Sequence, residues 1–223
     1  MARKLVSVST EPTKNFNELL SYANDLSGVV DMLHCDVMDK SFVGRELLSL
    51  ETVEKLNNHS LIMLDVHLMT ADLHDDYEKW IKAGANILTV HYESFESEER
   101  LFKVIKSIRE KGALCGVSFK PKTDINKILK VLNFVDLVLV MSVEPGKSAQ
   151  KFLEESYEKI RLLNDIREKN NLKFLIEVDG GISPENSQKI YACGADILVS
   201  GSYVYSSEDR QKAIYSLKGE SQI

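Results

Sequence analysis

His34 and Asp36 stand two residues apart within the apolar run Met32-Leu33-His34-Cys35-Asp36-Val37-Met38-Asp39. Side chains two apart on a β-strand share a face, so an imidazole and a carboxylate point the same way there. Two further apolar runs end in the same residue types: Asp65-Val66-His67-Leu68-Met69 and Glu177-Val178-Asp179-Gly180-Gly181. His34, Asp36, His67 and Asp179 together offer two imidazoles and two carboxylates. That donor set suits one divalent metal ion of intermediate softness, such as zinc, iron or manganese. Magnesium would call for more oxygen. A second reading stands beside this one, in which each inward Asp or His belongs to a hydrogen-bonded network of the core.

Bringing three strand ends together is a task for the whole chain. Eight apolar runs alternate with amphipathic stretches, roughly one pair every 25 to 30 residues, as in repeated βα units. The strands read as Leu5 to Ser9, Val29 to Val37, Leu61 to Met69, Asn86 to Tyr92, Ala113 to Phe119, Val135 to Ser142, Phe174 to Asp179 and Ile197 to Gly201. Helices are expected from about Asn15, Leu50, Asp72, Ser97, Asp124, Leu153, Pro184 and Ser207. Eight such units predict an α/β fold, a closed TIM (β/α)8 barrel. In the third strand Ile62, Leu64, Val66 and Leu68 form an apolar face, while Asp65 and His67 share the other with Met63 and Met69. Phe174, Ile176 and Val178 alternate likewise with Leu175, Glu177 and Asp179. In a barrel wrapped by helices the apolar face meets the helices and the mixed face points inward. Lys82-Ala83-Gly84-Ala85-Asn86-Ile87-Leu88 and Ala192-Cys193-Gly194-Ala195-Asp196-Ile197-Leu198 nearly repeat each other, each with a Gly where a helix turns into a strand. With no linker or low-complexity tract, residues 1–223 read as a single domain with a short polar tail from about Lys218.

A net charge of −6 argues against a general nucleic-acid surface, though not against a small anion pocket. The positive start at Arg3 and Lys4 runs into Glu11 and Pro12 rather than a long apolar stretch, so neither a signal peptide nor a membrane span is expected. The cytoplasm is the default location. Cys35, Cys115 and Cys193 are odd in number, far apart and set in or beside apolar runs, which suits reduced buried thiols.

Several segments carry a family likeness. His34-Cys35-Asp36-Val37-Met38-Asp39, Asp65-Val66-His67-Leu68-Met69, Leu139-Val140-Met141-Ser142-Val143-Glu144-Pro145-Gly146, Gln150-Lys151-Phe152, Glu177-Val178-Asp179-Gly180-Gly181-Ile182 and Ser200-Gly201-Ser202 resemble, in order and spacing, the signatures of ribulose-phosphate 3-epimerases. The resemblance runs from about Leu5 to Val204. It implies a barrel of the ribulose-phosphate-binding type and epimerisation at C3 of a small phosphorylated ketose, D-ribulose 5-phosphate to D-xylulose 5-phosphate. It also implies a metal held by His34, Asp36, His67 and Asp179, with Asp36 and Asp179 as the catalytic proton carriers. Met38, Met69 and Met141, which on their own read as core filling, match methionines packed against the reacting centre. Ser9, with Ser7 as a rival, and His67 are expected to touch substrate. Backbone at Gly146, Ser148, Gly181, Gly201 and Ser202 is expected to hold the phosphate. An even-numbered homo-oligomer would be usual for such a barrel.

The likeness fails beside the substrate. Gly146-Lys147-Ser148-Ala149 stands where the family has Gly, an aromatic and two glycines, and a left-handed backbone is harder to reach without Gly. Lys40 replaces a usual Gly, and Arg45-Glu46-Leu47-Leu48 replaces a loop beginning Pro-Asn. These changes bear on which sugar phosphate is used, so a hexulose-phosphate 3-epimerase acting on allulose 6-phosphate is the neighbouring alternative. A sugar-phosphate-binding protein without turnover is the alternative from another class. A lyase fits less well, because Lys173 begins the seventh strand, far from its catalytic end.

Overall fold

The apolar runs form eight parallel strands, paired in chain order and closed by the first against the last. They are β1 (Leu5–Ser9), β2 (Met32–Met38), β3 (Met63–Met69), β4 (Ile87–His91), β5 (Leu114–Phe119), β6 (Leu137–Met141), β7 (Leu175–Asp179) and β8 (Ile197–Ser200). This computed structural model describes residues 4–220 apart from 72 and 74, so the end of the expected polar tail and Asp72 lie outside the described residues. The helices are α1 (Phe16–Leu26), α2 (Lys40–Val43), α3 (Leu50–His59), α4 (Glu78–Lys82), α5 (Glu98–Glu110), α6 (Ser156–Lys169), α7 (Pro184–Ala192), α8 (Ser202–Ser206) and α9 (Arg210–Lys218). Among the described residues no helix is long and apolar enough to cross a membrane.

Strand alternation sorts the side chains into two cores. Val6, Val8, Leu33, Cys35, Val37, Leu64, Val66, Leu68, Ile176 and Val178 face outward and join the buried faces of the helices. Met32, Ile87, Leu137, Leu139, Met141, Val143 and Ile197 form a smaller inner core. Each wholly buried aliphatic side chain contributes about 1.5–3 kcal/mol, so the outer layer supplies most of the stability. The interior is thereby left able to hold Ser7, Ser9, His34, Asp36, Asp65, His67, Thr89, His91 and Glu177, all buried polar groups on the inward face. Cys35, Cys115 and Cys193 are buried free thiols.

Local signals set most helix starts. Asn15, Ser49, Ser97 and Asp209 accept hydrogen bonds from backbone N–H groups of the first turns of α1, α3, α5 and α9, each such cap being worth about 1 kcal/mol. Ser183 and Asn186 form a reciprocal capping box with Pro184 at the first helical position of α7. Gly84 and Gly194, from the two near-copies, both have positive φ.

Several expectations need correction. The second strand starts at Met32 rather than Val29, and the last helix starts at Arg210 rather than Ser207, after its Asp209 cap. The helix expected from Asp124 is instead two 3-10 turns, Ile125–Lys127 and Leu129–Val131. Its buried residues Ile125, Ile128 and Val131 recur every third position, a period that matches three residues per turn rather than 3.6. Near Asp72, the regular structure begins as a 3-10 turn at Asp75–Tyr77 leading into the short α4. Finally, α6 starts at Ser156 rather than Leu153, because Leu153 N–H is still bonded to Ser142 O at the end of β6.

Candidate active site

Register places the chemistry. β2 pairs with β3 so that His34 faces Asp65 and Asp36 faces His67, and β6 pairs with β7 so that Met141 faces Asp179. Asp36, His67, Met141 and Asp179 lie toward the C-terminal strand ends, where barrel enzymes build their sites, with His34 and Asp65 one layer below. One donor atom each from His34, Asp36, His67 and Asp179 falls within 4.8 Å of all the others. Asp36 is the hub. Its Oδ1 is 3.2 Å from His34 Nε2 and 3.2 Å from His67 Nδ1, and its Oδ2 accepts from Ser9 Oγ at 3.2 Å.

The site has a floor. His34 Nδ1 lies 2.6 Å from Asp65 Oδ2, which also accepts from Ser7 Oγ at 3.2 Å. Ser7, the rival to Ser9, therefore serves this lower layer, while Ser9 lies at the mouth. Glu177 is fully buried beside Asp65, and neither of its oxygens has a hydrogen-bond partner among the described residues. Burial and the nearby Asp65 carboxylate raise Glu177 well above the ordinary glutamate range. That shift favours its protonated form, as burial beside another carboxylate must.

Environment splits the two catalytic candidates. Burial pushes Asp36 upward, but His34 and His67 outweigh it and hold that carboxyl well below its usual range. Burial and the Asp36 charge push Asp179 the other way, up to about 7. Two carboxyl groups a few ångströms apart thus prefer opposite protonation states near neutrality.

The donor set fits a divalent cation. It combines two imidazoles and two carboxylates, and the buried His34 Nε2, 3.2 Å from Asp36 Oδ1, has no hydrogen-bond partner of proper geometry among the described residues, while its other nitrogen is engaged by Asp65. A ligating His whose second nitrogen is held by a carboxylate is a common arrangement at metal centres.

Above the cluster opens a cleft of about 550 Å³. Ser9, Asp36, Met38, Met69, Met141 and Asp179 line its inner end, and all three methionines are buried. Gly146, Lys147, Ser148, Ala149, Gly181, Gly201 and Ser202 line its outer end. His34 and His67 are wholly buried beneath that lining. Gly181 has φ +65°, and a Cβ there would come within 2.5 Å of Phe152 N and 2.8 Å of Gln150 O. The loop after β6 can lie against the Gly181 backbone only because no side chain intervenes. Gln150 braces that loop by donating to the carbonyls of Glu144 (2.6 Å) and Lys147 (2.8 Å). The left-handed turn that loses its family glycines is retained: Ala149 adopts φ +57°.

Two further residues serve other ends. Asp39 caps α2 through Phe42 N–H and accepts from Ala71 N–H, a turn-forming role. Lys173 bonds Asn171 on the exposed stretch before β7, at the opposite end from the site. His91 and Glu93 went unread. His91 is wholly buried with its Nε2 2.9 Å from His67 Nε2, and it bonds Glu93. The signal was alternation in β4, which puts Ile87, Thr89 and His91 on one face.

Comparisons with known proteins converge on one family. The model of the ribulose-phosphate 3 epimerase family matches residues 7–205. The chain is 36% identical over 193 residues to ribulose-phosphate 3-epimerase of Aquifex aeolicus, covering 86% of each chain. It is 38% identical to the protein of that name from Bacillus subtilis (86% of this chain, 88% of that one), and 39% identical to the chloroplastic ribulose-5-phosphate-3-epimerase of Arabidopsis thaliana (88% and 69%). Among solved structures, 3-keto-L-gulonate-6-phosphate decarboxylase from Vibrio cholerae superposes with a TM-score of 0.74 over 98% of this chain and 97% of that one. At 14% identity that likeness speaks for the barrel alone. With a matching model over nearly the whole barrel and relatives this similar along most of their length, the chain belongs to the ribulose-phosphate 3-epimerase family.

Proposed function

We propose that the protein is a metal-dependent epimerase that inverts C3 of a ketose phosphate and interconverts D-ribulose 5-phosphate and D-xylulose 5-phosphate. Family membership makes it an epimerase. One observation carries the finer reading: Asp36 and Asp179 reach the same point as two imidazoles, with all four donor atoms within 4.8 Å.

Inversion beside a ketone requires a proton to leave one face of C3 and another to arrive on the opposite face. Two carboxyl groups of opposite protonation state can do this. Asp36, held ionised by its histidines, accepts the proton in one direction, and Asp179, whose carboxyl is pushed up to about 7, delivers one. Their roles exchange in the reverse direction. A divalent zinc, iron or manganese ion bound by His34, Asp36, His67 and Asp179 would supply positive charge opposite the negative charge that grows on the substrate oxygens. Ser9 steadies Asp36 by its hydrogen bond. Met38, Met69 and Met141 keep water from the reacting carbon and offer no competing acid. Backbone N–H groups at Gly181, Gly201 and Ser202, with Gly146 and Ser148 across the cleft, are the proposed phosphate cradle.

A hexulose phosphate is the second reading, favoured by the replaced residues 147–149, which line the cleft. Epimerisation and C3 deuterium wash-in, measured with ribulose 5-phosphate against allulose 6-phosphate, separate the two. Ribulose 5-phosphate should turn over faster. A protein that exchanges no C3 proton with either sugar would be a binder, not an epimerase.

A further inference from the structure

His67 continues outward into a row of contacts. Its Nε2 lies 2.9 Å from His91 Nε2, and His91 Nδ1 lies 3.1 Å from Glu93 Oε2. The other Glu93 oxygen accepts from Lys120 N–H at 2.9 Å and from the Thr123 hydroxyl. Both rings are wholly buried and stacked with centroids 4.9 Å apart, and Phe42 packs on His91 at 4.9 Å.

Counting protons gives this row a direction. Asp36, His67, His91 and Glu93 make three contacts in series. Each contact between two lone-pair atoms needs one proton, and a neutral imidazole carries only one N–H, so two rings can serve two of the three. The Glu93 carboxylate only accepts, so His91 must carry its proton on Nδ1. Its Nε2 is then a lone pair, which requires His67 to donate from Nε2. What remains is His67 Nδ1 without a proton, 3.2 Å from a carboxylate oxygen of Asp36. Two acceptors face each other there, and a cation satisfies both.

We propose that Glu93, acting through His91, fixes the tautomer of His67 and so presents the Nδ1 lone pair to the metal. Glu93 and His91 are positioning residues that touch neither metal nor substrate. The inference rests on the metal site proposed above. It also assigns different nitrogens to the two histidine ligands: Nε2 of His34, oriented by Asp65, and Nδ1 of His67, oriented by Glu93 at one remove.

Glu93→Gln tests it with little change of shape. Lys120 N–H can only donate, so it claims the amide oxygen and turns the NH2 toward His91 Nδ1. The row then reverses and places a proton on His67 Nδ1, the ligand atom. Zinc affinity of the full chain, measured by chelator competition, should fall by about 10- to 100-fold, the usual loss when an outer partner of a ligating His is removed. In Glu93→Ala, added formate should restore affinity and formamide should not, which a purely structural role for Glu93 would not predict. Nitrogen chemical shifts of the zinc-loaded wild type should place the His67 proton on Nε2, and this readout decides the matter even if a variant fails to fold. Wild-type zinc affinity in both variants, or a protonated His67 Nδ1, would overturn the positioning role and leave the metal site standing. A wild-type chain that binds no zinc, iron or manganese would overturn both.

Discussion

The two ends of the cleft are built on different principles. At the inner end every donor hangs from a barrel strand and is buried or nearly so, and three of the four have a neighbour that restricts them: Asp65 for His34, His91 for His67, Ser9 for Asp36. At the outer end, contact is offered by loop backbone, and the side chains there can change without moving the backbone. Ala149 keeps a left-handed turn without a glycine, and Lys147 stands where the family carries an aromatic residue. On the proposed function, the inner end specifies the reaction by side-chain identity, whereas the outer end holds its ligand by shape.

The largest expected effect falls on the inner end. Asp36→Asn and Asp179→Asn should each lower kcat by about 10²- to 10⁴-fold, since each removes a proton carrier. Circular dichroism should show an intact fold. If either variant turns over at near the wild-type rate, that carboxyl is not a proton carrier and the contrast between the two ends collapses.

Removing metal is the next largest. Dialysis against a chelator should remove most of the activity, with recovery on adding zinc, manganese or ferrous ion. The stripped protein also has a predictable pH response. Because the folded pKa of Asp179 is raised, the folded state binds more protons than the unfolded one between the unperturbed 3.8 and about 7. The Asp179 contribution to stability therefore falls as pH rises through that window. Relative to Asp179→Asn, the stripped wild type should lose melting temperature from acid toward neutral pH, and a parallel pair of curves would refute the raised pKa.

Smaller effects belong to the outer end. Lys147→Ala should raise KM by about 2- to 5-fold in low salt and leave kcat alone, in keeping with the ~0.2–1 kcal/mol of an exposed charge contact. A fall in kcat would mean that the loop takes part in the chemistry. Smallest of all, Ala149→Gly should stabilise the fold by up to about 1 kcal/mol, since only Gly adopts that turn without cost. A urea midpoint that stays put would show that the loop relaxes around Ala149.

Much of the barrel could be read from period-2 alternation, because strands with an apolar outer face and a mixed inner face leave a plain pattern. Met63, Asp65, His67 and Met69 could be assigned to the interior from sequence alone, as could Leu175, Glu177 and Asp179. The connections were harder to read. The segment after β5 carries a three-residue apolar period that a search for helices absorbs as 3.6, and α2 is only four residues long. His91 escaped for a different reason: it has no acidic neighbour two positions back, so only its side-chain contact with His67 of β3, one strand over, gives it meaning. That information is tertiary. Ala149 could not be anticipated either, since its φ is imposed by the loop around it.

Cys35 sits between His34 and Asp36 yet faces the outer core, where burial raises its thiol to about 12. A soft sulfur donor therefore lies one strand position from the proposed cation site and never meets it. Sliding β2 by one residue would exchange the two sets, turning Leu33, Cys35 and Val37 inward and sending His34 and Asp36 among the helices. Seven successive residues, Met32 to Met38, are matched against Met63 to Met69 along β3, the longest pairing in the barrel. The most extensive ladder thus guards the strand on which a misregistered chain would assemble the wrong metal ligands.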